Sequence, residues 1–192
     1  MKMRDLIHKS RSYRRFDENY SISGEVLRKL IELAQYSPSG MNVQPLKYWL
    51  SNTKDMNNLI FPFLGWAGAL KDWSGPTPGE RPSAYVVILG DTKIRESFGV
   101  DHGIAAQSIL LGAAESGLGG CMIGSIKREK MREALSIPDR YQILLVIALG
   151  KPTEKVVTEL VDEDGSITYY RDQNDVHHVP KRRMEELILH DV

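Results

Sequence analysis

The sequence lacks an excess of charge of either sign and has almost no cysteine. Its 192 residues include 25 Lys and Arg and 25 Asp and Glu, so the formal net charge is zero. Because nucleic acids and anionic membranes attract proteins with a positive excess, neither is expected as a partner. The single cysteine, Cys121, excludes an intramolecular disulfide and any metal site built from several cysteines. It favours a reducing compartment, and we expect a cytoplasmic protein.

Long apolar runs and linker-like segments are also missing. Residues 1–5 carry charge and no apolar run, so no signal peptide is expected. The longest apolar runs, residues 85–89 and 143–149, are too short to span a bilayer. No repeat, low-complexity segment or shift in composition marks a boundary. The sequence therefore predicts one domain over residues 1–192.

Apolar spacing predicts strands that are separated by helices of unequal length, which indicates an α+β fold without choosing its topology. Helices are expected over residues 3–9, from the N-cap Ser23 to about residue 36, from a cap at Asp101 to about residue 116, and over residues 127–135. Strands are expected over residues 47–51, 85–89 and 142–149. The helix over residues 103–116 is apolar or small on nearly all sides, so it must be buried on most of them. A dimer interface would bury it.

Three arginines follow the first predicted helix. Guanidinium groups match a phosphate by bidentate geometry, and the Ser12 hydroxyl beside Arg11 and Arg14 improves such a site. The alternative is a solvated basic turn, which is what most runs of charge are. Arg15 is expected to be exposed, without a role.

The loop after the second predicted helix is rich in small and amide side chains. Its members Pro38, Ser39, Gly40, Asn42 and Gln44 offer backbone N–H groups, a hydroxyl and two carboxamides, which can bind the polar edge of a flat heterocycle. An ordinary turn would use many of the same residue types. It would not need Gln44 or the second proline, Pro45.

A glycine-rich segment over residues 117–125 invites comparison with a dinucleotide-binding loop. It fails that pattern, because Met122 stands where the third glycine belongs and because it follows a helix. The plain alternative is a flexible loop at the exit of a helix. We expect Cys121 within it to be a small buried hydrophobe.

Lys181 and Arg183 form a second cationic pair after Pro180. Positive charge opposes the dipole of a helix that begins there, and a bound anion would resolve the conflict. Exposed charges at a helix start are the alternative. The adjacent His177 and His178 point to opposite sides of an extended segment, and no further ligand spacing completes a set, so no metal site is predicted.

Together these motifs resemble the nitroreductase family of flavin mononucleotide (FMN) enzymes. The resemblance covers nearly the whole chain, from Arg11 to about Leu187, and is weakest over residues 54–82. It rests on the Arg-Ser-x-Arg, Pro-Ser-x-x-Asn-x-Gln-Pro and Pro-Lys-x-Arg patterns. It implies an α+β sandwich with a central, mostly antiparallel sheet flanked by helices, in an intertwined homodimer. It also implies FMN as cofactor, NADH or NADPH as reductant, and a small-molecule electron acceptor such as a nitroaromatic or a quinone, reduced by a ping-pong cycle.

The resemblance also assigns residues to the cofactor. The implied cofactor-binding set is Arg11, Ser12, Arg14, Pro38, Ser39, Gly40, Asn42, Gln44, Ile123, Gly124, Ser125, Lys181 and Arg183. The Gly124 backbone is implied to lie near flavin N5, and the loop over residues 38–44 to approach from the partner subunit. No catalytic side chain is expected, because a flavin carries the redox chemistry itself. A flavin-binding protein, or a specialised flavin-modifying or dehalogenating member of the fold, remains the alternative.

Overall fold

The computed structural model describes residues 2–161 and 165–191. The chain divides into two compact units. The first comprises Met1–Trp66 and Pro76–Thr153, and the second comprises Ala67–Gly75 and Glu154–Val192. The single domain expected over residues 1–192 stays a prediction.

The first unit contains most of the helices and strands, in the order α1 (Met3–Lys9), β1 (Phe16–Asp17), α2 (Gly24–Gln35), β2 (Leu46–Ser51), α3 (Lys54–Ile60), β3 (Ala84–Asp91), α4 (Asp101–Glu115), β4 (Gly119–Ile123), α5 (Arg128–Leu135) and β5 (Tyr141–Pro152). Every helix and strand that we expected in this unit is present. The Ser23 hydroxyl caps α2 by accepting a hydrogen bond of 3.2 Å from the Val26 N–H. The glycine-rich segment after α4 is not a flexible loop, because residues 119–123 form β4.

The sheet of the first unit is antiparallel throughout. Its strands follow the order β1-β5-β3-β2, and β4 also pairs with β5. In register, Val87 of β3 lies opposite Trp49 of β2 and Val146 of β5. The expected α+β fold with a central antiparallel sheet is therefore confirmed.

Both faces of this sheet are covered. Every residue of β3 is buried, which agrees with the expectation from the apolar run over residues 85–89. Val86 and Ile88 belong to one core with residues of α2 and α4. The alternate residues of β3 point to the other face and are equally buried, and Ile60 of α3 and Met131 of α5 are also fully buried.

The small residues of α4 are buried within one chain. Ala106 and Ala113 are 0% exposed, and a Cβ added at Gly112 would lie 2.2 Å from Leu33 Cδ1 of α2. The sheet, α2 and β4 therefore bury this helix without a partner subunit. The apolar character of α4 carries no argument for a dimer, contrary to our expectation.

The second unit contains β6 (Val156–Leu160), β7 (Tyr170–Arg171), β8 (His177–Lys181) and α6 (Met184–Leu187). Its sheet has the order β6-β8-β7, with β6 and β8 parallel. The Arg171 guanidinium bonds to Glu154 at 2.9 Å and stacks over the Trp73 ring at 4.4 Å. This cation–π contact joins the tryptophan-containing residues 67–75 to the C-terminal strands.

Candidate functional site

The Arg-Ser-x-Arg segment lies against the start of β4. Ser12 forms a parallel bridge with Gly120, and the Tyr13 N–H donates to the Gly120 carbonyl at 3.0 Å. Gly120 is needed for the close packing of β4 on β5, since a Cβ there would lie 2.5 Å from the Ala148 carbonyl oxygen of β5. The sheet thus holds the backbone of the cationic segment at a defined position.

Arg11 has unused hydrogen-bonding capacity at this position. Its Nη2 donates to the Ile7 carbonyl at 2.5 Å. Its Nε is buried and has no hydrogen-bond partner within residues 2–161 and 165–191. Because an unsatisfied buried donor of a charged group is costly, this atom marks a place where a ligand would complete the structure.

Arg14 and Arg15 differ in their surroundings. Arg14 Nη1 donates to the Ser12 carbonyl at 3.3 Å, so its side chain folds back over the same segment. The Arg15 side chain is only 20% exposed and forms an ion pair of 3.6 Å with Glu80. Our expectation of an exposed Arg15 is therefore wrong, and its role is structural.

The loop over residues 37–45 is anchored by a carboxylate. Asp101, at the first position of α4 and 5% exposed, accepts hydrogen bonds from the Ser39 hydroxyl at 2.7 Å and the Gly40 N–H at 3.0 Å. The Ser39 oxygen in turn accepts from the Gln44 N–H at 3.0 Å. The hydroxyl of Ser39 is thus occupied within the protein.

Asp101 was missed as a site residue because its position at the start of a helix suggested a cap. The N-cap is instead Val100, and the Asp101 side chain makes no cap to its own helix. Burial acts to raise its pKa. The hydrogen bonds from Ser39 and Gly40 and the charges of Arg95 and His102 outweigh burial, and the pKa lies below its usual value. The carboxylate therefore remains ionised at neutral pH.

The tip of the loop has a strained backbone. Met41, Asn42 and Gln44 have φ values of 52°, 55° and 52°, in the left-handed region that non-glycine residues seldom adopt. Each such residue costs on the order of 1 kcal/mol or more. Pro38, Gly40, Asn42 and Gln44 are exposed. Strain at an exposed polar loop that a buried carboxylate anchors is typical of a binding loop.

The end of β4 is open to a ligand. Gly124 is exposed, and a Cβ there would meet nothing within 4 Å. Two carbonyl groups of this segment accept hydrogen bonds: Arg128 donates to Gly124 at 3.3 Å, and the Gly65 N–H donates to Ser125 at 2.8 Å. Ile123 is buried. The turn over residues 123–125 is thus fixed in place with one uncovered face.

The second cationic pair belongs to the second unit. Lys181 is the last residue of β8 and Arg183 is the N-cap of α6, and both are exposed. The Lys181 carbonyl accepts from the Val161 N–H at 3.0 Å, and the Arg183 N–H donates to the Glu186 carboxylate at 3.1 Å. The other predicted site residues belong to the first unit. The joint phosphate site of Arg11 and Lys181 stays a prediction.

Within the described ranges, no set of three or more His, Cys, Asp or Glu side chains is arranged to hold a metal ion. The Cys121 thiol is buried, 4% exposed, in the middle of β4. Over the same residues, no helix combines the length and the apolar character needed to cross a membrane.

Sequence comparison places this chain in a known family. A sequence model of the nitroreductase family matches residues 7–67 and 67–151. An oxygen-insensitive NADPH nitroreductase of Helicobacter acinonychis is 30% identical over 184 residues, which cover 78% of this chain and 87% of the relative. The chain therefore belongs to the nitroreductase family.

Solved structures agree on the fold. An FMN-dependent nitroreductase from Clostridium difficile superposes with a TM-score of 0.63 at 23% identity, covering 80% of this chain and 89% of that one. A protein in complex with FMN from Exiguobacterium sibiricum superposes with a TM-score of 0.69 at 19% identity, covering 80% and 90%. At these identities the similarity shows the fold alone.

Proposed function

We propose that the protein is an FMN-dependent oxidoreductase that uses NADH or NADPH to reduce small-molecule acceptors such as nitroaromatics or quinones. Family membership and the named activity of the Helicobacter relative support this class of reaction. The observation that carries the proposal is Arg11, whose buried Nε lacks a partner among the described residues. A ligand phosphate would supply that acceptor.

The donor set suits the different parts of FMN. Arg11 and Ser12 offer a guanidinium and an exposed hydroxyl for the phosphate. Arg14, folded over the same segment, offers positive charge for the pyrimidine edge of the ring. The uncovered turn at Gly124 gives backbone a close approach to the ring. We propose that Lys181 and Arg183 complete the phosphate site.

FMN, when bound, supplies the electron and hydride transfer for both halves of a ping-pong cycle. The chain's own groups bind, orient and stabilise charge. A guanidinium near the pyrimidine edge favours extra negative charge there and makes reduction easier. Because none of these tasks needs a proton-transferring side chain, no catalytic residue is assigned.

We propose a homodimer in which residues 38–44 reach the cofactor held by the partner subunit. Three strongly exposed apolar side chains surround this loop: Tyr36 is 78% exposed, Met41 85% and Val100 71%. Met41 follows Gly40, whose N–H donates to Asp101 at 3.0 Å, and Val100 precedes Asp101. An apolar patch beside a polar binding loop fits a surface that a second copy covers.

The proposed location of the protein is the cytoplasm.

Purification and turnover test the proposal. The purified protein should be yellow and should release FMN, and no flavin adenine dinucleotide, on denaturation. NADH or NADPH added without oxygen should bleach the flavin, and a nitroaromatic or a quinone should restore the colour. A colourless protein that does not bind added FMN would refute the proposal. If the protein is yellow but neither NADH nor NADPH bleaches it, it is instead a flavin-binding or specialised member of the fold.

Assembly is measured separately. Size-exclusion chromatography coupled to light scattering should give the FMN-loaded protein a molar mass of twice that of one chain. Because the cofactor would contact both subunits, added FMN should make the dimer harder to dissociate. A monomer that retains one FMN per chain would show that the loop does not act across an interface.

A further inference from the structure

A polar cavity of about 290 Å³ lies in the first unit and shares no lining residue with the candidate cofactor-binding set. Its walls come from the segment after β1, the end of β2, α3 and the start of β3. The residues that matter for its chemistry are Glu18, Lys54, Phe61, Arg81, Ser83 and Tyr85.

Two polar atoms at this cavity lack partners. The Nε of Arg81 and the Oγ of Ser83 are buried, and neither has a hydrogen-bond partner in the described part of the chain. Ser83 is only 8% exposed. A buried hydroxyl and a buried guanidinium N–H without acceptors are each destabilising, so both are expected to have a partner outside the chain.

The Arg81 side chain is held ready for such a partner. Its guanidinium lies over the Phe61 ring, 4.2 Å from the centroid. Stacking restricts the plane of the guanidinium and leaves its N–H edge available for hydrogen bonds. Among the described residues, no carboxylate lies within ion-pair distance of Arg81, although the chain contains 25 acidic residues.

The rim of the cavity is also held in place. The Gly79 N–H donates to the Glu18 carboxylate at 2.5 Å, and the Glu18 N–H donates to the Gly79 carbonyl at 3.2 Å. On the opposite side, Asn57 Nδ2 donates to the Ser83 carbonyl at 2.8 Å. None of these hydrogen bonds uses Arg81 Nε or Ser83 Oγ. The walls of the cavity are therefore held in place while these two atoms stay without partners among the described residues.

We infer that this cavity binds a small monocarboxylate between Arg81 and Ser83. A carboxylate has two coplanar acceptor oxygens, which match a guanidinium edge and leave a lone pair for a hydroxyl donor. The charged lining groups are Lys54 and Arg81 against Glu18, so the net excess is one positive charge. A singly charged anion fits that excess better than a doubly charged phosphate.

Tyr85 strengthens the donor character of the cavity. Its side chain is 1% exposed and lies among the lining residues. Burial raises the pKa of its hydroxyl far above the usual range, so the group stays a neutral donor. Tyr85 thus adds a neutral hydroxyl donor to the lining of the cavity.

Benzoate is a suitable probe, with benzamide as its uncharged isostere, titrated into the FMN-loaded protein by calorimetry. Benzoate should bind at least about tenfold more tightly than benzamide, since hydrogen bonds to a charged group are worth at least that factor. Arg81→Gln should weaken benzoate binding by about tenfold or more, and Ser83→Ala by roughly threefold to tenfold. Arg4→Gln, an exposed arginine on α1, is the matched control and should change nothing.

The flavin absorbance spectrum separates this cavity from the cofactor site. Benzoate bound here should leave the spectrum unchanged. A spectral change together with binding that does not depend on Arg81 would place the probe against the flavin and overturn the inference. Equal binding of benzoate and benzamide, or no binding, would also overturn it. If Arg81→Gln does not fold, Ser83→Ala decides, because it removes only the orphan hydroxyl. Since the site is independent of FMN, its failure leaves the proposed function standing.

Discussion

Asp101 and Ser39 lie 62 positions apart in the chain and are joined by a hydrogen bond of 2.7 Å between the Ser39 hydroxyl and Asp101 Oδ2. The same carboxylate accepts from the Gly40 N–H, next to the strained residues Met41 and Asn42. The first turn of α4 therefore sets the conformation of the loop proposed to meet the flavin. In the proposed site, Asp101 is a positioning residue.

Replacing Asp101 by Asn should loosen the loop without removing bulk. The amide keeps one acceptor oxygen but loses the charge that strengthens both hydrogen bonds, so the free energy of unfolding should fall by about 1–3 kcal/mol. FMN affinity should fall as well, because the loop would no longer hold its strained conformation. Urea unfolding and quenching of FMN fluorescence measure the two effects. Asp5→Asn, at an exposed position on α1, should alter neither.

The effect of Asp101 should depend on pH in a defined direction. Its folded pKa is depressed, so its stabilisation is fully present above the unfolded value of about 3.9 and is lost as the pH falls through the folded pKa. The stability difference between the wild type and Asp101→Asn should therefore be constant near neutral pH and shrink below about pH 4. A stability difference between the two proteins that grows as the pH falls would contradict a depressed pKa of Asp101 in the folded protein.

Replacing Arg11 should weaken FMN binding, whereas replacing Arg15 should lower only the stability of the fold. Arg11→Ala should weaken FMN binding by about 1.5–3 kcal/mol, roughly tenfold or more, through loss of charged hydrogen bonds. Arg15→Ala should leave FMN affinity nearly unchanged and lower the thermal midpoint, because Arg15 pairs with Glu80. Lys181→Ala tests the second half of the phosphate site and should match Arg11→Ala. Equal losses of affinity at Arg11 and Arg15 would mean that the phosphate site is wrongly assigned.

The sequence predicted features that depend on local pattern. The strand around Val87 and the helix capped by Ser23 follow from apolar periodicity and a hydroxyl before a helix. It did not predict β4, because two glycines at its start, Gly119 and Gly120, suggested a loop. Those glycines are required by close packing against β5 and the Tyr13 side chain, which is a long-range contact that no local pattern encodes.

In the candidate site too, some residues could be predicted from local sequence pattern and others only from long-range contacts. The ordered motifs around Arg11 and Asn42 are visible in the sequence because the residue types themselves carry the chemistry. Asp101, Arg81 and Ser83 were missed because their importance comes from partners, or from the lack of partners, that only folding reveals. An aspartate before a helical segment suggests a cap in any sequence. Only the geometry shows its side chain turned to another loop.

His178 should titrate above its usual value. It lies between two carboxylates, 3.0 Å from Glu159 and 3.4 Å from Asp172, and its ring stacks on Tyr170 at 4.7 Å. The hydrogen bond to Glu159 and, next, that to Asp172 raise its pKa against the opposing effect of burial. An NMR titration of the imidazole C–H signals should place its midpoint above about 6.5.

The stability of the second unit should follow from that shift. A raised folded pKa means that the stabilisation is fully present below about pH 6.5 and is lost as the pH rises through the folded value. Amide exchange in β8, corrected for its intrinsic pH dependence, should therefore be better protected at pH 6 than at higher pH. His178→Gln should abolish the difference, and His8→Gln on α1 should preserve it. Protection that increases with pH would contradict the assignment.

Gly120 should be intolerant of a single methyl group. An added Cβ would lie 2.5 Å from the Ala148 carbonyl oxygen, and backbone in the centre of the sheet cannot move away cheaply. Gly120→Ala should cost roughly 1–3 kcal/mol of unfolding free energy. It should also weaken FMN binding, because Gly120 holds the Arg11–Arg14 segment through the Ser12 bridge.

The matched control is Gly103→Ala in α4, where an added Cβ meets nothing within 4 Å. Removing a glycine from a helix should there raise stability by about 0.5–1 kcal/mol and leave FMN affinity unchanged. Thermal unfolding with and without FMN measures both variants. If Gly120→Ala were as stable as the wild type but bound FMN poorly, the methyl group would obstruct the cofactor itself and the strand contact would not be the cause.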